Sequence, residues 1–276
     1  MKPAPFDYVA AASLEEAVTA LAAAGGEARL IAGGQTLGPM LNMRLATPSR
    51  LVDISRIAGL RRIAESGTKL VIGSGVTHAM LEDRSDPSPA VRLMCHVAST
   101  IAYRAIRTRG TIGGSLAHAD PAADWLTALV LLDAELTIFG PAGRRNLPMP
   151  DFVQGAFATA LGPADVLEAI AFVKLSGAAR WGYCKLARKV GEFPEALGAV
   201  LLDPARAESR IVVGALDGAP VLLPALAERV AREGRGAATR ESVGAAVAAA
   251  VPGLDPVALR LHSVAVRRAI EQALGA

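Results

Sequence analysis

The sequence predicts an α+β fold, and three observations carry that prediction. Strand-like and helix-like segments are mixed without a regular βαβ rhythm. At 276 residues and 52% hydrophobic, the chain can build one large or two modest domains around a substantial core, and intrinsic disorder is disfavoured. No internal repeat of about 20 to 50 residues recurs, which argues against a solenoid or propeller.

The elements follow in order. Ser13-Leu14-Glu15-Glu16 has the form of a capping box, and the alanine-rich run to Ala24 reads as a helix closed by Gly25-Gly26. Arg29 to Ala32 reads as a short strand ending at Gly33-Gly34. Gln35 to Leu45 looks helical, although Gly38-Pro39 interrupts it. Leu51 to Ile54 and Leu70 to Gly73 read as strands, and residues 87 to 106 as mostly helical. Pro121 is placed in the first turn of another helix. Glu135 to Phe139 is a strand, residues 140 to 146 a turn, and Val166 to Val173 a further strand. A domain boundary is expected in the soft segment SGAAR at 176 to 180. Beyond it, strands are expected near 181 to 187, 197 to 202 and 210 to 216, then three helices. The last, Leu259 to Leu274, carries Val264, Val266, Ala269, Ile270 and Leu274 at near-helical spacing.

Composition removes several function classes. The net charge is +3 with scattered arginines and few aromatics, so no dedicated nucleic-acid surface is expected. No apolar run approaches the roughly 18 residues that cross a bilayer. The N-terminus MKPAPFDYVA lacks a signal-peptide core, and a cytoplasmic location is expected. Two cysteines, Cys95 and Cys184, cannot supply a disulfide framework, a four-cysteine zinc site or an iron–sulfur cluster.

Two glycine stretches carry the chemistry. AGGQT at 32 to 36 and TIGGS at 111 to 115 each set a double glycine among small or hydroxyl residues. Glycine lets a backbone approach a ligand closely, and successive free N–H groups form a concavity for anions. Thr36, Thr111 and Ser115 could add hydroxyl donors, so two such loops could hold a diphosphate. Both could equally be tight turns, and spacing alone leaves the alternatives open.

Other constellations fail. GGSLA at 113 to 117 has Ala117 where a nucleophile elbow needs glycine. No GxxxxGK[ST] is present, and GSGVTH at 73 to 78 lacks the third glycine of a dinucleotide fingerprint. His118 and Asp120 lack a third metal ligand, and Asp120 and Asp124 read as caps or dipole partners. No catalytic residue and no metal is therefore assigned to this chain.

AGGQTLGPMLNMRLATPSRLVDI (32 to 54), IRTRGTIGGSLAHADPAAD (106 to 124) and YCKLARKVGEF (183 to 193) closely resemble the FAD-binding medium subunit of molybdenum hydroxylases. That family includes carbon monoxide dehydrogenase and the flavin part of xanthine dehydrogenase, and the likeness runs from Phe6 to the C-terminal helix. The resemblance implies an FAD-binding domain of the PCMH type over 1–176, with subdomains of about 1–55 and 56–176. It implies a smaller C-terminal α+β domain, a three-stranded sheet with helices, over 177–276. FAD would lie between the subdomains with both glycine loops on its diphosphate.

By this likeness Ala32, Gly33, Gly34, Gln35, Thr36 and Leu37 match the first loop, and Thr111, Gly113, Gly114 and Ser115 the second. Asp124 matches an aspartate that binds FAD hydroxyls, and Ala102, Leu167 and Lys185 match positions close to the cofactor. Thr108 departs from the asparagine of the RNRG form, and Phe193 could pack against the flavin ring without hydrogen bonding. The implied partners are a large subunit with a molybdenum cofactor and a small subunit with two [2Fe–2S] clusters, in a dimer of heterotrimers that could associate with the inner membrane face. The competing readings are a self-contained FAD oxidase, for which His78, His96, His118 and His262 offer no evident base, and a scaffold that has lost its flavin.

Overall fold

The structure, a computed structural model, describes residues 2–275. The outermost ends of the expected domains, positions 1 and 276, lie outside the described residues.

The first unit comprises β1 (Asp7–Ala10), α1 (Leu14–Ala22), β2 (Ala28–Ile31), α2 (Leu37–Asn42) and β3 (Arg50–Asp53). Its sheet runs β1-β3-β2 with both pairings parallel. The Ser13 cap forms, its Oγ accepting the Glu16 N–H at 3.1 Å, while the Glu16 carboxylate accepts the Ala12 N–H at 2.8 Å, one residue ahead of the N–H that a strict capping box uses. Leu14, Ala17, Val18 and Leu21 then bury one face of α1 in a core with Val52 and Ile54.

The second unit holds β4 (Ile63–Ser66), β5 (Lys69–Gly73), α3 (His78–Glu82), α4 (Pro89–Thr100), α5 (Arg104–Arg107), α6 (Ile112–His118) and α7 (Asp124–Leu131). It continues through β6 (Glu135–Gly140), β7 (Gly143–Pro148), α8 (Met149–Phe152), the hairpin β8 (Val153–Gly155) and β9 (Ala158–Thr159), and β10 (Val166–Val173). The main sheet is antiparallel in the order β4-β5-β10-β6-β7. Every residue of α7 is buried, as expected of a helix that is apolar nearly all round.

The third unit is β11 (Arg180–Leu186), β12 (Ala196–Asp203), β13 (Glu208–Gly214), β14 (Val221–Leu222), α9 (Pro224–Glu233), α10 (Arg240–Ala250) and α11 (Pro256–Leu274). Its antiparallel sheet runs β11-β12-β13-β14, so a short fourth strand joins the three expected. All of β12 is buried, because α11 covers one face of the sheet and α7 lies against the other. One apolar cluster therefore joins Ile72, Trp125 and Leu129 to Tyr183, Leu201 and Val212, across the expected boundary.

Four local departures have physical causes. α2 spans only Leu37–Asn42 because Arg44 turns to φ 56° and ends it. The expected helix over 87 to 106 breaks at Ile101–Tyr103, where Ala102 sits at φ 42°. Pro121 precedes its helix rather than starting it: Asp120 accepts the Ala122 N–H at 2.9 Å, and α7 begins at Asp124. The expected turn at 140 to 146 shrinks because β7 begins at Gly143.

Candidate functional site

The first glycine stretch meets the backbone immediately ahead of the second. A Cβ built on Gly33 would lie 2.0 Å from the Arg109 carbonyl oxygen and 2.9 Å from Gly110 Cα, so only glycine permits this backbone contact. Gly34 takes φ 70°, and the Gln35 amide closes the loop by donating to the Gly33 carbonyl at 3.2 Å. Among the described residues, the N–H groups of Gly33, Gly34, Gln35, Thr36 and Leu37 have no acceptor. Five consecutive free donors at a positive-φ turn are the kind of backbone group from which anion-binding concavities are built.

The second stretch is built differently. Residues 112 to 118 are α6, and the Thr111 hydroxyl oxygen caps it by accepting the Gly114 N–H at 3.0 Å. The Ile112, Gly113 and Ser115 N–H groups donate to the carbonyls of Val76, Ser74 and Thr111 at 3.0, 2.9 and 3.1 Å. The expected free N–H run is therefore absent from residues 112 to 115. What this stretch can still offer is the hydroxyl hydrogens of Thr111 and Ser115 beside the exposed surface of Gly114. Gly113 is glycine for packing, since a Cβ there would lie 2.4 Å from Ser74 Cβ.

His78 supports the same segment from behind. Its backbone N–H donates to the Gly110 carbonyl at 2.9 Å, and its Nδ1 accepts the Trp125 indole N–H at 3.1 Å. Trp125 is donor-only, so this bond requires a neutral imidazole. Burial, with a smaller push from Arg107, lowers the His78 pKa from 6.5 to about 4. The unfolded chain takes up this proton near 6.5, whereas the folded chain refuses it until about 4. Stability is thus full above the unfolded value and falls as the pH drops through that window, by up to about 3 kcal/mol. His78→Asn keeps an acceptor for Trp125 and does not titrate. The plot of Tm against pH between about 7 and about 5 should be flatter in this variant than in the parent.

Arg107 holds the next feature. It donates to the carbonyls of Ile101 and Ala102 at 2.9 and 3.0 Å while its other nitrogens pair with Glu82. This clamps Ala102 in its left-handed conformation, and Ile101 bridges to Gly191. Ala102 therefore sits at the junction with the loop that carries the exposed Phe193.

Asp124 and Lys185 come together across the units. Lys185 Nζ donates to Asp124 Oδ2 at 2.9 Å and to the Thr100 carbonyl at 3.2 Å. Tyr183 OH donates to Asp124 Oδ1 at 2.7 Å, with Thr100 Oγ1 at 3.4 Å from the same oxygen. Both Asp124 oxygens are thus engaged within the protein, and its side chain is 4% exposed. Leu167 is buried in β10 at a bulge, next to Glu168, whose carbonyl accepts the Ser74 N–H at 3.0 Å; it lies behind the second stretch. His118 packs on Phe157 at 5.1 Å, and Asp120 serves its turn.

Ser74, His78, Arg107, Trp125 and Tyr183 were not expected from the sequence. The GSGVTH segment, which fails as a dinucleotide fingerprint, instead runs beside TIGGS through a Thr77–Thr111 bridge. No local pattern in either segment pointed to the other.

The family model described as the FAD binding domain in molybdopterin dehydrogenase matches residues 4–172. The chain belongs to this family. It is an FAD-binding oxidoreductase subunit of the molybdenum hydroxylase type. The free N–H run at 33 to 37 fits a diphosphate-bearing cofactor. Similar proteins extend the match over the rest of the chain. The 6-hydroxypseudooxynicotine dehydrogenase complex subunit alpha of Paenarthrobacter nicotinovorans is 36% identical, covering 93% of this chain and 87% of its own. The carbon monoxide dehydrogenase medium chain of Hydrogenophaga pseudoflava is 35% identical, covering 93% and 89%. A solved Cu,Mo-CO dehydrogenase in its cyanide-inactivated form aligns with TM-score 0.88 and 30% identity over 99% of each chain.

Proposed function

We propose that this flavoprotein serves a heterotrimeric molybdenum hydroxylase. It accepts electrons from [2Fe–2S] clusters of a small subunit and passes them to an external acceptor. The substrate, whether carbon monoxide, a purine, an N-heterocycle or an aldehyde, is oxidised at the molybdenum site of a large subunit. The reading includes a dimer of heterotrimers in the cytoplasm. FAD, when bound, supplies the redox chemistry, and the protein supplies position and electrostatics.

The observation that carries the reading is the run of five unpaired N–H groups where the first glycine stretch meets the backbone ahead of the second. In this reading Gly33, Gly34, Gln35, Thr36 and Leu37 hold the diphosphate by backbone donors, with Ala32 leading in. Thr111 and Ser115 add hydroxyls, Gly114 keeps that side open, and Gly113 supports it by letting the stretch pack on Ser74. Ala102, Leu167 and Lys185 lie close to the cofactor. The histidines favour electron transfer over a self-contained oxidase, which needs a base at the flavin. His78 Nδ1 is committed to Trp125, His96 packs against Trp181, His118 packs on Phe157, and His262 is buried.

The test is the visible spectrum of the purified chain, alone and co-expressed with its partners. Flavin bands that bleach with substrate only when the partners are present are the expected result. A complex that stays colourless, or a lone chain that turns over substrate, overturns it. Gly114→Val probes the placement. Gly114 is exposed, and an added Cβ there meets only Thr111 Oγ1, at 2.9 Å. The variant should fold and lose FAD affinity by roughly 10- to 100-fold. Full FAD occupancy would refute this diphosphate site.

A further inference from the structure

The Asp124–Lys185 pair has a third member that the cofactor reading does not use. Tyr183 is 3% exposed, and its hydroxyl donates to the carboxylate oxygen opposite the one that holds the ammonium. Burial and the adjacent Asp124 charge raise its pKa well above the usual phenol value, so it remains a donor. Lys185 has three N–H donors, and the Asp124 carboxylate and the Thr100 carbonyl take two. One N–H and part of the ammonium charge are left for something else. The matched family segment ends at residue 172, so Asp124 lies inside it while Tyr183 and Lys185 lie beyond it, on β11.

We propose that Tyr183 is a positioning residue of the cofactor site, setting through Asp124 how much positive charge Lys185 presents to the flavin. The inference rests on the reading that Lys185 faces FAD. A phenol O–H aimed at Oδ1 draws the carboxylate's negative charge away from Oδ2, which leaves the ammonium less cancelled. His96, whose ring lies 5.8 Å from Tyr183 in an edge-on contact, and Trp181 beside it fix the phenol ring without taking its hydroxyl. The reducing equivalents that a flavin stores bring negative charge to it, so a weaker positive field lowers its midpoint potential.

The test is redox titration of the assembled complex in four forms: parent, Tyr183→Phe, Lys185→Gln and the double variant. Tyr183→Phe should retain FAD and shift the flavin midpoint potential to more negative values. In the Lys185→Gln background the same change should produce no further shift, because a residue acting through Lys185 cannot act without it. Replacing Tyr183 by 3-fluorotyrosine, a stronger donor of nearly the same shape, should shift the potential the other way and serves if the phenylalanine variant does not fold. A phenylalanine variant that keeps FAD at the parent potential overturns the proposal. So does a shift that persists undiminished in the Lys185→Gln background, or a fluorotyrosine form with an unchanged potential. A parent complex that contains no FAD refutes the cofactor reading itself, and it is recognised before any substitution is made.

Discussion

Gly33→Ala should strip the protein of FAD, lowering affinity by about 100-fold or more. The new methyl would sit 2.0 Å from the Arg109 carbonyl oxygen and 2.6 Å from its carbon. Both belong to backbone, so no side chain can swing aside. Overpacking of this kind costs about 1–3 kcal/mol, and here relief can come only by parting the first stretch from the backbone ahead of the second. Parting them re-aims the five N–H groups of residues 33 to 37, whose value depends on converging on one anion. The FAD-to-protein ratio after gel filtration reads the effect directly. Gly38→Ala is the control: nothing lies within 4 Å of a Cβ at that position, so FAD should stay. A Gly33→Ala protein with parental FAD content would show that this backbone contact is not needed.

Asp124→Ala should be the most destabilising polar substitution in the chain. It strands the Lys185 ammonium, whose side chain is 10% exposed, and leaves the buried Tyr183 hydroxyl without its acceptor. Removing one member of a buried ion pair costs about 3–5 kcal/mol, because the surviving charge keeps its desolvation penalty. Denaturant unfolding should show that loss, and the double change Asp124→Leu with Lys185→Met should recover much of it. A loss below about 1 kcal/mol would mean that water reaches the pair and screens it. Asp120→Ala, which removes only a turn acceptor for the Ala122 N–H, should cost about 1 kcal/mol.

The sequence made legible those features that local chemistry decides. The cap at Ser13 places α1, and the largely apolar runs place β10 and β12. The glycine pairs announced a close backbone approach, which Gly33 makes against Arg109. Features decided by distant partners stayed hidden. Gly113 and Gly114 argue against helix at about 1 kcal/mol each, yet α6 forms because Thr111 caps it and Ser74 packs beneath it. Ser74 and Gly113 are unrelated in local pattern, so nothing in either segment signals the other. Tyr183 and Lys185 stand 59 and 61 residues from Asp124, and no spacing rule reaches that far. Short strands such as β8, β9 and β14 fell below the length at which alternation can be read.

The apolar cluster that joins Leu70 to Val212 also dictates an order of events on the ribosome. β5 and α7 leave the ribosome well before β12 and β13, whose side chains complete their cover. At roughly 5–20 residues per second, the wait between them is on the order of 10 s. During that interval the nascent chain carries an open apolar face on α7, the kind of surface that chaperones hold and that neighbouring chains can capture. FAD supplied during synthesis would meet its glycine stretches before the strand that carries Lys185 has arrived. Loading at that stage would precede the docking of the last-made sheet, which completes the apolar cluster over the earlier segments.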